Sequence, residues 1–482
     1  MYHISVFWGP NASQITSKLL VKLLAKNEVD QVSVICRSSS SLPEGLPDKV
    51  RVVAIDLDSP DSLGKIQEPD SESEADQYLD DSTLRKIILS DRKLSRGFFW
   101  HTRIRPSNLD KYVSKDPFFS ERYARRAFRE ARIVLEKLSP DALFMYSVAG
   151  AEGFALQEAA ATLGIKRLYF GTARIGNRYV ISDQMRGLGS RFEHLQVERS
   201  KLSNEDKSVA EAFVNQFLSQ RNSSYRQFKR SKSYAWMTFA HHFLLFCLGK
   251  LNFMSLRRAF FALSTALSSG VSKWLVGRMS KDAPERFVLY PLHVDPEAST
   301  MVLAPYSGNQ FDLLDRLSRS LPKGLSIVAV EHEPMYGSRR IEFYRRVSRL
   351  PNVVLAHPSQ NTQDLLEGCS LVFTITGTIA LEAGMRKKPV LTGAEAVIPH
   401  MAWTRELSWS LTGDMSQQIR AAMFASKPSD EDILKTIANI MKVSFPMHSN
   451  GMDNSPIDED KLQADVDSVC SALLAAVKER ES

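Results

Sequence analysis

The feature that most constrains this chain is an alternation, run through twice, of short apolar segments with amphipathic helical ones. In the first run, residues 4–7, 32–35 and 52–55 read as strands, with a helix near 13–26 after the first of them. A charge-rich helix over 120–138 then leads into a strand at 142–146, a helix at 152–163 and a strand at 167–170. In the second run, strands at 287–289, 326–330, 353–355, 371–374 and 389–391 alternate with helices at 309–319, 340–349, 362–366 and 378–385. Strands that are apolar on both faces and separated by helices need helical layers on both sides of a parallel sheet. The expected fold class is therefore α/β, with two Rossmann-like domains whose ligand loops lie at the carboxyl ends of the strands.

Between the runs the character changes. Residues 200–285 are basic and aromatic, with no strand pattern, and read as a helical insertion. After 445 a polar stretch leads to an amphipathic helix over about 461–478, the kind of tail that can pack back across a domain boundary. The expected organisation is 1–199, 200–285, 286–444 and 445–482. Two further stretches, 8–11 and the acidic 69–81, read as loops.

With 43% hydrophobic and 24% charged residues the composition is that of a globular protein, which excludes a mostly disordered or fibrous chain. The formal charge of +7 favours an anionic partner, for which nucleotide sugars, anionic lipid and nucleic acid all qualify. No nucleic-acid module is recognisable, so nucleic acid is not expected. Cys36, Cys247, Cys369 and Cys470 lie far apart with no metal-type spacing and read as reduced thiols. The first residues lack a basic start, a long apolar run and a cleavage site, so the chain reads as cytoplasmic. The apolar run 236–254 is interrupted by His241, His242 and Lys250 and falls short of the ~20 residues of a spanning helix. The adjacent histidines point about 100° apart on a helix with no carboxylate close in sequence, so no metal is expected there.

Three segments fall at strand ends of the second run. In 374–383 (TITGTIALEA) a strand ends in hydroxyl residues and glycine and opens directly into a helix. The N–H groups and positive dipole end of a helix start suit a phosphate; Gly377 lets the backbone come close, Thr376 and Thr378 can donate, and Glu382 can accept from ribose hydroxyls. A plain helix cap, worth about 1 kcal/mol, uses the same residue types. In 330–340 (VEHEPMYGSRR) an imidazole and two guanidinium groups lie between a strand and a helix. Protonated His332 and the fork-shaped Arg339 could stabilise a departing phosphate; a lone surface histidine is the alternative. The third segment, 290–297 with 307–310, holds His293 and Gln310, and ordinary turn chemistry accounts for its Pro, Gly and Asn equally well.

Taken in order, PLHVDPE, the GNQ helix start, EHEPMYGSR, FYRRVSRLPNVVLAHP and TITGTIALEAGMRKKPV resemble the capsular-polysaccharide synthesis glycosyltransferases, most closely over 287–390. That family includes transferases of 3-deoxy-D-manno-octulosonic acid (Kdo) and has the two-Rossmann GT-B fold. The resemblance implies a nucleotide-sugar domain at 286–444, in which His332 and the segment 376–382 hold the donor nucleotide, with His293, Gln310 and Arg339 beside them. It also implies that no metal is bound, the leaving phosphate being stabilised by helix dipoles and basic side chains. One departure stands out: the family pattern usually reads Lys-Glu-His-Pro, whereas this chain has Val330-Glu331-His332-Glu333-Pro334. A carboxylate beside a phosphate is unfavourable unless it points away or is paired.

The resemblance is weaker in 1–199, resting chiefly on 141–152 and 172–178, and implies an acceptor domain there with Arg174 and Arg178 as acceptor contacts. A transferase needs a carboxylate near the acceptor hydroxyl or the anomeric carbon, and Glu152 and Asp183 are the best placed in sequence; a helix cap or surface charge explains either singly. The function expected is transfer of a sugar from a CMP- or other NDP-sugar to a surface glycan or lipid-linked glycan acceptor, as in capsule synthesis. Two alternatives share the pattern. One is a nucleotide-sugar 2-epimerase, which needs no acceptor; the other is a non-catalytic membrane-surface scaffold whose basic aromatic segment 225–274 does the binding. The enzyme itself is expected to associate peripherally with the inner face of the membrane through the cations and aromatics of 226–278. Helix-core packing is the competing account of those aromatics.

Overall fold

The structure, a computed structural model, describes residues 1–8, 14–37, 46–57, 59, 62–63, 66, 74–146, 148–198, 201–219, 232–305, 307, 309–393, 398, 400–408, 414–425, 427–449 and 458–479. Residues 9–11 of the first expected loop, 69–73 of the acidic stretch, the basic-aromatic 225–230 and Gly308 lie outside them. The strands are β1 (Tyr2–Trp8), β2 (Val29–Cys36), β3 (Arg51–Ala54), β4 (Ala142–Met145), β5 (Lys166–Thr172), β6 (Arg178–Ser182), β7 (Phe287–Pro291), β8 (Ser326–Val330), β9 (Val353–Leu355), β10 (Leu371–Thr374), β11 (Val390–Thr392), β12 (Thr404–Glu406) and β13 (Phe445–Pro446). They form two sheets, one in each of two compact units.

The first unit comprises Met1–Leu94, Tyr112–Ser203 and Lys435–Ser482. Its sheet runs β13-β6-β5-β4-β1-β2-β3, with β1 to β5 mutually parallel. Ile4, Val6, Val32, Val34, Phe144 and Leu168 are fully buried, as strands covered on both faces require. Helix Phe119–Leu138 buries Tyr123, Ala127, Ala131, Val134 and Leu138 at three- and four-residue spacing. It stops at Ser139, which is left-handed (φ 45°) and returns its N–H to the Leu135 carbonyl at 2.7 Å. The C-terminal helix Glu459–Lys478 places Val466, Val469, Cys470 and Leu473 in the core of this same unit.

Two features of this unit correct the sequence reading. The segment after β5 is not an open loop at a parallel strand end: β6 turns back antiparallel to β5, closed by Ala173 N–H to the Arg178 carbonyl at 2.9 Å. Beyond it, β13 adds antiparallel to β6. Residues 435–444, expected with the second sheet, cluster here because Arg178 donates to the Met441 carbonyl (2.9 Å), the Ser444 carbonyl and Ser444 Oγ (2.8 Å).

The second unit comprises Ser95–Lys111 and Asn204–Leu434. Its sheet runs β12-β11-β10-β7-β8-β9, every pairing parallel. This is the doubly wound order, and its direction reverses between β7 and β10. Helix Gln310–Ser320 shows why the pattern was readable: Leu313, Leu314 and Leu317 are buried while Asp315 and Arg319 pair on the solvent side at 2.9 Å. Residues 95–111, which lie between two stretches of the first unit in sequence, join this unit through Arg103 N–H to the Ser338 carbonyl and Arg340 N–H to the His101 carbonyl, both 2.9 Å.

The insertion is helical: Asn204–Ser219, Lys232–Cys247 and Phe253–Met279, the last capped by Asn252, whose side chain accepts from Ser255 N–H. The expectation that core packing accounts for its aromatics does not hold for Trp236, Phe243, Phe253, Phe260 and Trp274, all of which are exposed.

Candidate functional site

At the reversal point of the second sheet, the chain leaving β7 meets the chain leaving β10 through His293. Its Nε2 lies 3.1 Å from Thr374 Oγ1 and accepts from Ile375 N–H at 3.1 Å. An Nε2 that accepts from a backbone N–H carries its lone pair there, so the proton of the neutral ring is on Nδ1. Thr374 Oγ1 in turn accepts from Gly377 N–H at 2.9 Å. Gly377 is required by space: a Cβ there would stand 2.6 Å from Thr374 Oγ1 and 3.4 Å from His293 Cε1.

Behind His293 lies a buried polar network. Gln310 Oε1 accepts His293 N–H at 2.7 Å, and its Nε2 donates to the His293 carbonyl at 3.1 Å and to Asp295. Arg339 donates to Glu331 Oε2 (2.6 Å), to the His293 carbonyl (2.7 Å) and to Asp295 Oδ2 (3.4 Å), and its guanidinium lies over Phe343. Tyr344 adds its hydroxyl to Glu331 Oε2 at 2.7 Å. His101 completes the network, its Nε2 3.2 Å from Asp295 Oδ2. Burial alone would lower the Arg339 pKa, but the carboxylates of Glu331 and Asp295 more than offset it and hold the group well above its ordinary value.

These contacts revise several expected roles. Arg339 is 1% exposed and Gln310 is wholly buried, so both support the site from behind and do not face a ligand. Among the anionic groups they satisfy, Glu331 also accepts His332 N–H at 2.7 Å and so fixes the backbone that presents His332. Burial holds the His332 imidazole below its ordinary pKa, with Arg339 pulling the same way against Glu331 and Glu333, which favours the neutral ring over the protonated one expected. The additional carboxylate of this segment, Glu333, is exposed and paired with Lys273.

After β10, Thr376 is buried, with its hydroxyl 3.3 Å from the Ser299 carbonyl. Thr378 occupies the N-cap position of helix Ile379–Met385 yet makes no capping bond with its side chain, and it is half-buried. The cap reading thus fails for Thr378. Glu382 accepts from Gln363 Nε2 at 2.8 Å.

In the first unit the expected residues have structural partners. Glu152 is 3% exposed; Tyr123 donates to its Oε1 at 2.7 Å and Arg37 pairs with its Oε2 at 2.9 Å, which removes it from the solvent-facing role of a base. Asp183 is exposed and accepts from Ser190 N–H (2.8 Å) and Ser190 Oγ (2.5 Å) at the start of helix Ser190–Val197, so it is a cap placed seven residues upstream. Arg178 clamps the carbonyls at the end of helix Asp430–Val443, as a cation at a helix C-terminus does. Arg174 is exposed at the β5–β6 turn, with a left-handed backbone (φ 66°).

The structure therefore brings together His293, Gln310, Arg339, Thr376, Gly377 and Thr378, with His332 on the adjoining strand end, and adds His101, Asp295, Glu331, Tyr344 and Thr374, which sequence reasoning did not single out. Asp295 and Glu331 lay inside segments already noted. His101, 194 residues from Asp295, carried no signal in the sequence.

No protein-family model and no curated protein matches the sequence. Among solved structures the chain is similar to a KpsC β-Kdo 2,7-transferase of Thermosulfurimonas dismutans, at 10% identity over 73% of this chain and 90% of that one (TM-score 0.32). It is similar to the β-Kdo 2,4-transferase KpsC of the same organism, at 12% identity over 62% and 79% (TM-score 0.36). It is also similar to the UDP-GlcNAc 2-epimerase of Neisseria meningitidis bound to UDP-GlcNAc, at 11% identity over 98% and 100% (TM-score 0.22). Likeness at this level fixes neither substrate nor chemistry.

Proposed function

We propose that this protein is a glycosyltransferase that moves a sugar from a CMP- or other NDP-sugar to a surface glycan or lipid-linked glycan, as in capsule synthesis, with no resident metal. The observation that carries the reading is the junction of His293 with Thr374, Ile375 and Gly377 at the reversal point of an all-parallel sheet, the place where doubly wound proteins bind nucleotides. The sequence resemblance over 287–390 supports it independently. In this reading the donor phosphates lie against the Gly377–Thr378 backbone, where the Thr378 hydroxyl is not spent on its own helix. His332 approaches the leaving phosphate as a neutral hydrogen-bond donor and stabilises the negative charge that develops there. Arg339 does not touch the donor; it fixes the carbonyl of His293 and the carboxylate that orients His332.

A thermal-shift screen of CMP, UDP, GDP and their sugars tests the reading, because a ligand bound to the native state raises the melting temperature with its concentration. One nucleotide family is expected to stabilise the chain, and its sugar to be transferred only when a glycan acceptor is present. No stabilisation by any of them overturns the donor site. Conversion of the sugar with donor alone moves the protein to the epimerase class.

A further inference from the structure

We infer that the helical hairpin Lys232–Cys247 and Phe253–Met279 is a docking surface for an anionic lipid bilayer, lying in the interface and not crossing it. The two helices pack antiparallel, Phe239 on Phe260 and Phe246 on Phe253, with ring centroids 6.1 and 6.3 Å apart. Each leaves an apolar stripe exposed. On the first helix the stripe includes Trp236, Met237 (71% exposed), Phe243 and Leu244, at helical spacing. On the second it includes Phe253, Phe260, Leu267, Val271 and Trp274 (57% exposed), with Arg257 and Arg278 in the same three- and four-residue series.

The stripe on the second helix cannot turn inward. Its opposite face buries Ala259, Leu263, Ala266 and Val276. Arg103 Nη2 donates to Ser264 Oγ at 2.7 Å. A Cβ on Gly337 would stand 2.3 Å from the Thr265 carbonyl oxygen, so the helix rests backbone to backbone on the loop between His332 and Arg339. Helix Phe253–Met279 is long and apolar enough to cross a bilayer by length and composition. Its protein-covered face and the arginines within its exposed stripe fit instead a helix half sunk at the headgroup level, aromatic side chains down and cations at the phosphates.

Charge selects the occupant. From 212 to 281, seventy residues, the sequence has eleven Lys and Arg and no Asp or Glu. A second copy docked through the same patch would set cations against cations with no carboxylate from this span to pair them. An anionic bilayer supplies both the apolar layer and the counter-charge. This inference does not depend on the donor reading. If that reading also holds, a lipid-carried acceptor would be concentrated at the surface whose inner face supports the His332 loop.

The test is flotation of the full-length chain with phosphatidylglycerol–phosphatidylcholine vesicles and with phosphatidylcholine alone, at low and high salt. Binding is expected with the anionic vesicles and to fall steeply with salt. The variant Trp236→Ser/Phe243→Ser/Trp274→Ser is expected to weaken it at least about tenfold. Lys250→Glu/Arg257→Glu is expected to weaken it by roughly fivefold or more per site. These side chains are exposed, and an unchanged melting temperature and nucleotide titration in the variants would show that fold and donor site are intact. Three results overturn the inference: no binding to anionic vesicles at low salt, equal binding by the triple variant, or concentration-dependent self-association that the triple substitution abolishes in a chain that does not float. Absence of vesicle binding by the unsubstituted chain, with nucleotide binding kept, would sink the lipid surface alone; vesicle binding without nucleotide binding would sink the donor site alone.

Discussion

The two units handle their buried charges differently. In the first, Glu152 is satisfied by Arg37 and Tyr123 in a closed pair, and Arg37 remains partly exposed. In the second, Arg339 is completely enclosed, and two carboxylates, a tyrosine, a glutamine, a histidine and a backbone carbonyl converge around it or its partners. A pair of the first kind fastens a helix to its surroundings. A network of the second kind fixes the orientation of groups at its edge, here His293 and the backbone of His332, at the sheet position where doubly wound proteins in general bind ligands. The lesson is that a charged side chain at a strand end can belong to the support of a site and never meet the ligand.

The difference can be broken most severely at Arg339. Arg339→Leu leaves Glu331 and Asp295 buried without a cation and is expected to cost about 3–5 kcal/mol of stability. Glu152→Gln should cost only about 1–3 kcal/mol, since the Arg37 it abandons can rehydrate. Urea denaturation of the two variants makes the comparison, and equal losses would show that the second network is no more integral than the first pair.

His332→Ala should leave stability nearly unchanged and lower turnover by about 10²–10³-fold, the usual effect of removing one donor to developing charge. Steady-state rates with the nucleotide sugar found in the screen decide it; unchanged turnover would leave the histidine without a role. Gly377→Ala pushes a methyl group into Thr374 Oγ1 and should cost about 1–3 kcal/mol, in stability or in donor affinity, according to how the strand end yields. A variant with wild-type melting and wild-type titration would show that the close approach is unnecessary.

In the first unit, Asp183→Ala removes a helix cap and should cost about 1 kcal/mol with no effect on donor affinity. A large loss of turnover without loss of stability would restore Asp183 as a candidate catalytic carboxylate. The most gradual test is pH. Burial holds both His101 and His332 below the ordinary 6.5, so the unfolded chain takes up their protons first as pH falls. Their contribution to stability is intact above about 6.5 and declines as pH drops from there toward the folded values. Melting temperatures across this window should fall, and the slope should be shallower in His332→Ala; an identical slope would assign the effect to other groups.

The sequence alone determined the parallel strands β1 to β5 of the first sheet and the parallel second sheet, because strand and helix periodicities are local and each apolar face must be covered. Helix 120–138 and the strands at 287–289, 326–330, 353–355 and 371–374 lie within a residue or two of the observed elements. The placement of the segments around His293, His332 and Gly377 at strand ends was legible for the same reason: glycine and hydroxyl residues at a strand end are local signals. Tertiary structure decided the rest. Arginine in a ligand-binding loop and arginine in a buried network look alike in sequence, and only the positions of Glu331 and Asp295 separate them at Arg339. His101 became part of the network because a segment from the first half of the chain folds onto the second sheet, a placement no local pattern encodes. The aromatic hairpin had a composition that suited a core; its exposure depends on which face the neighbouring loop already occupies. Periodicity records that one face is buried, whereas the partner of a charge or the covering of a stripe is set by residues brought near only when the chain has folded.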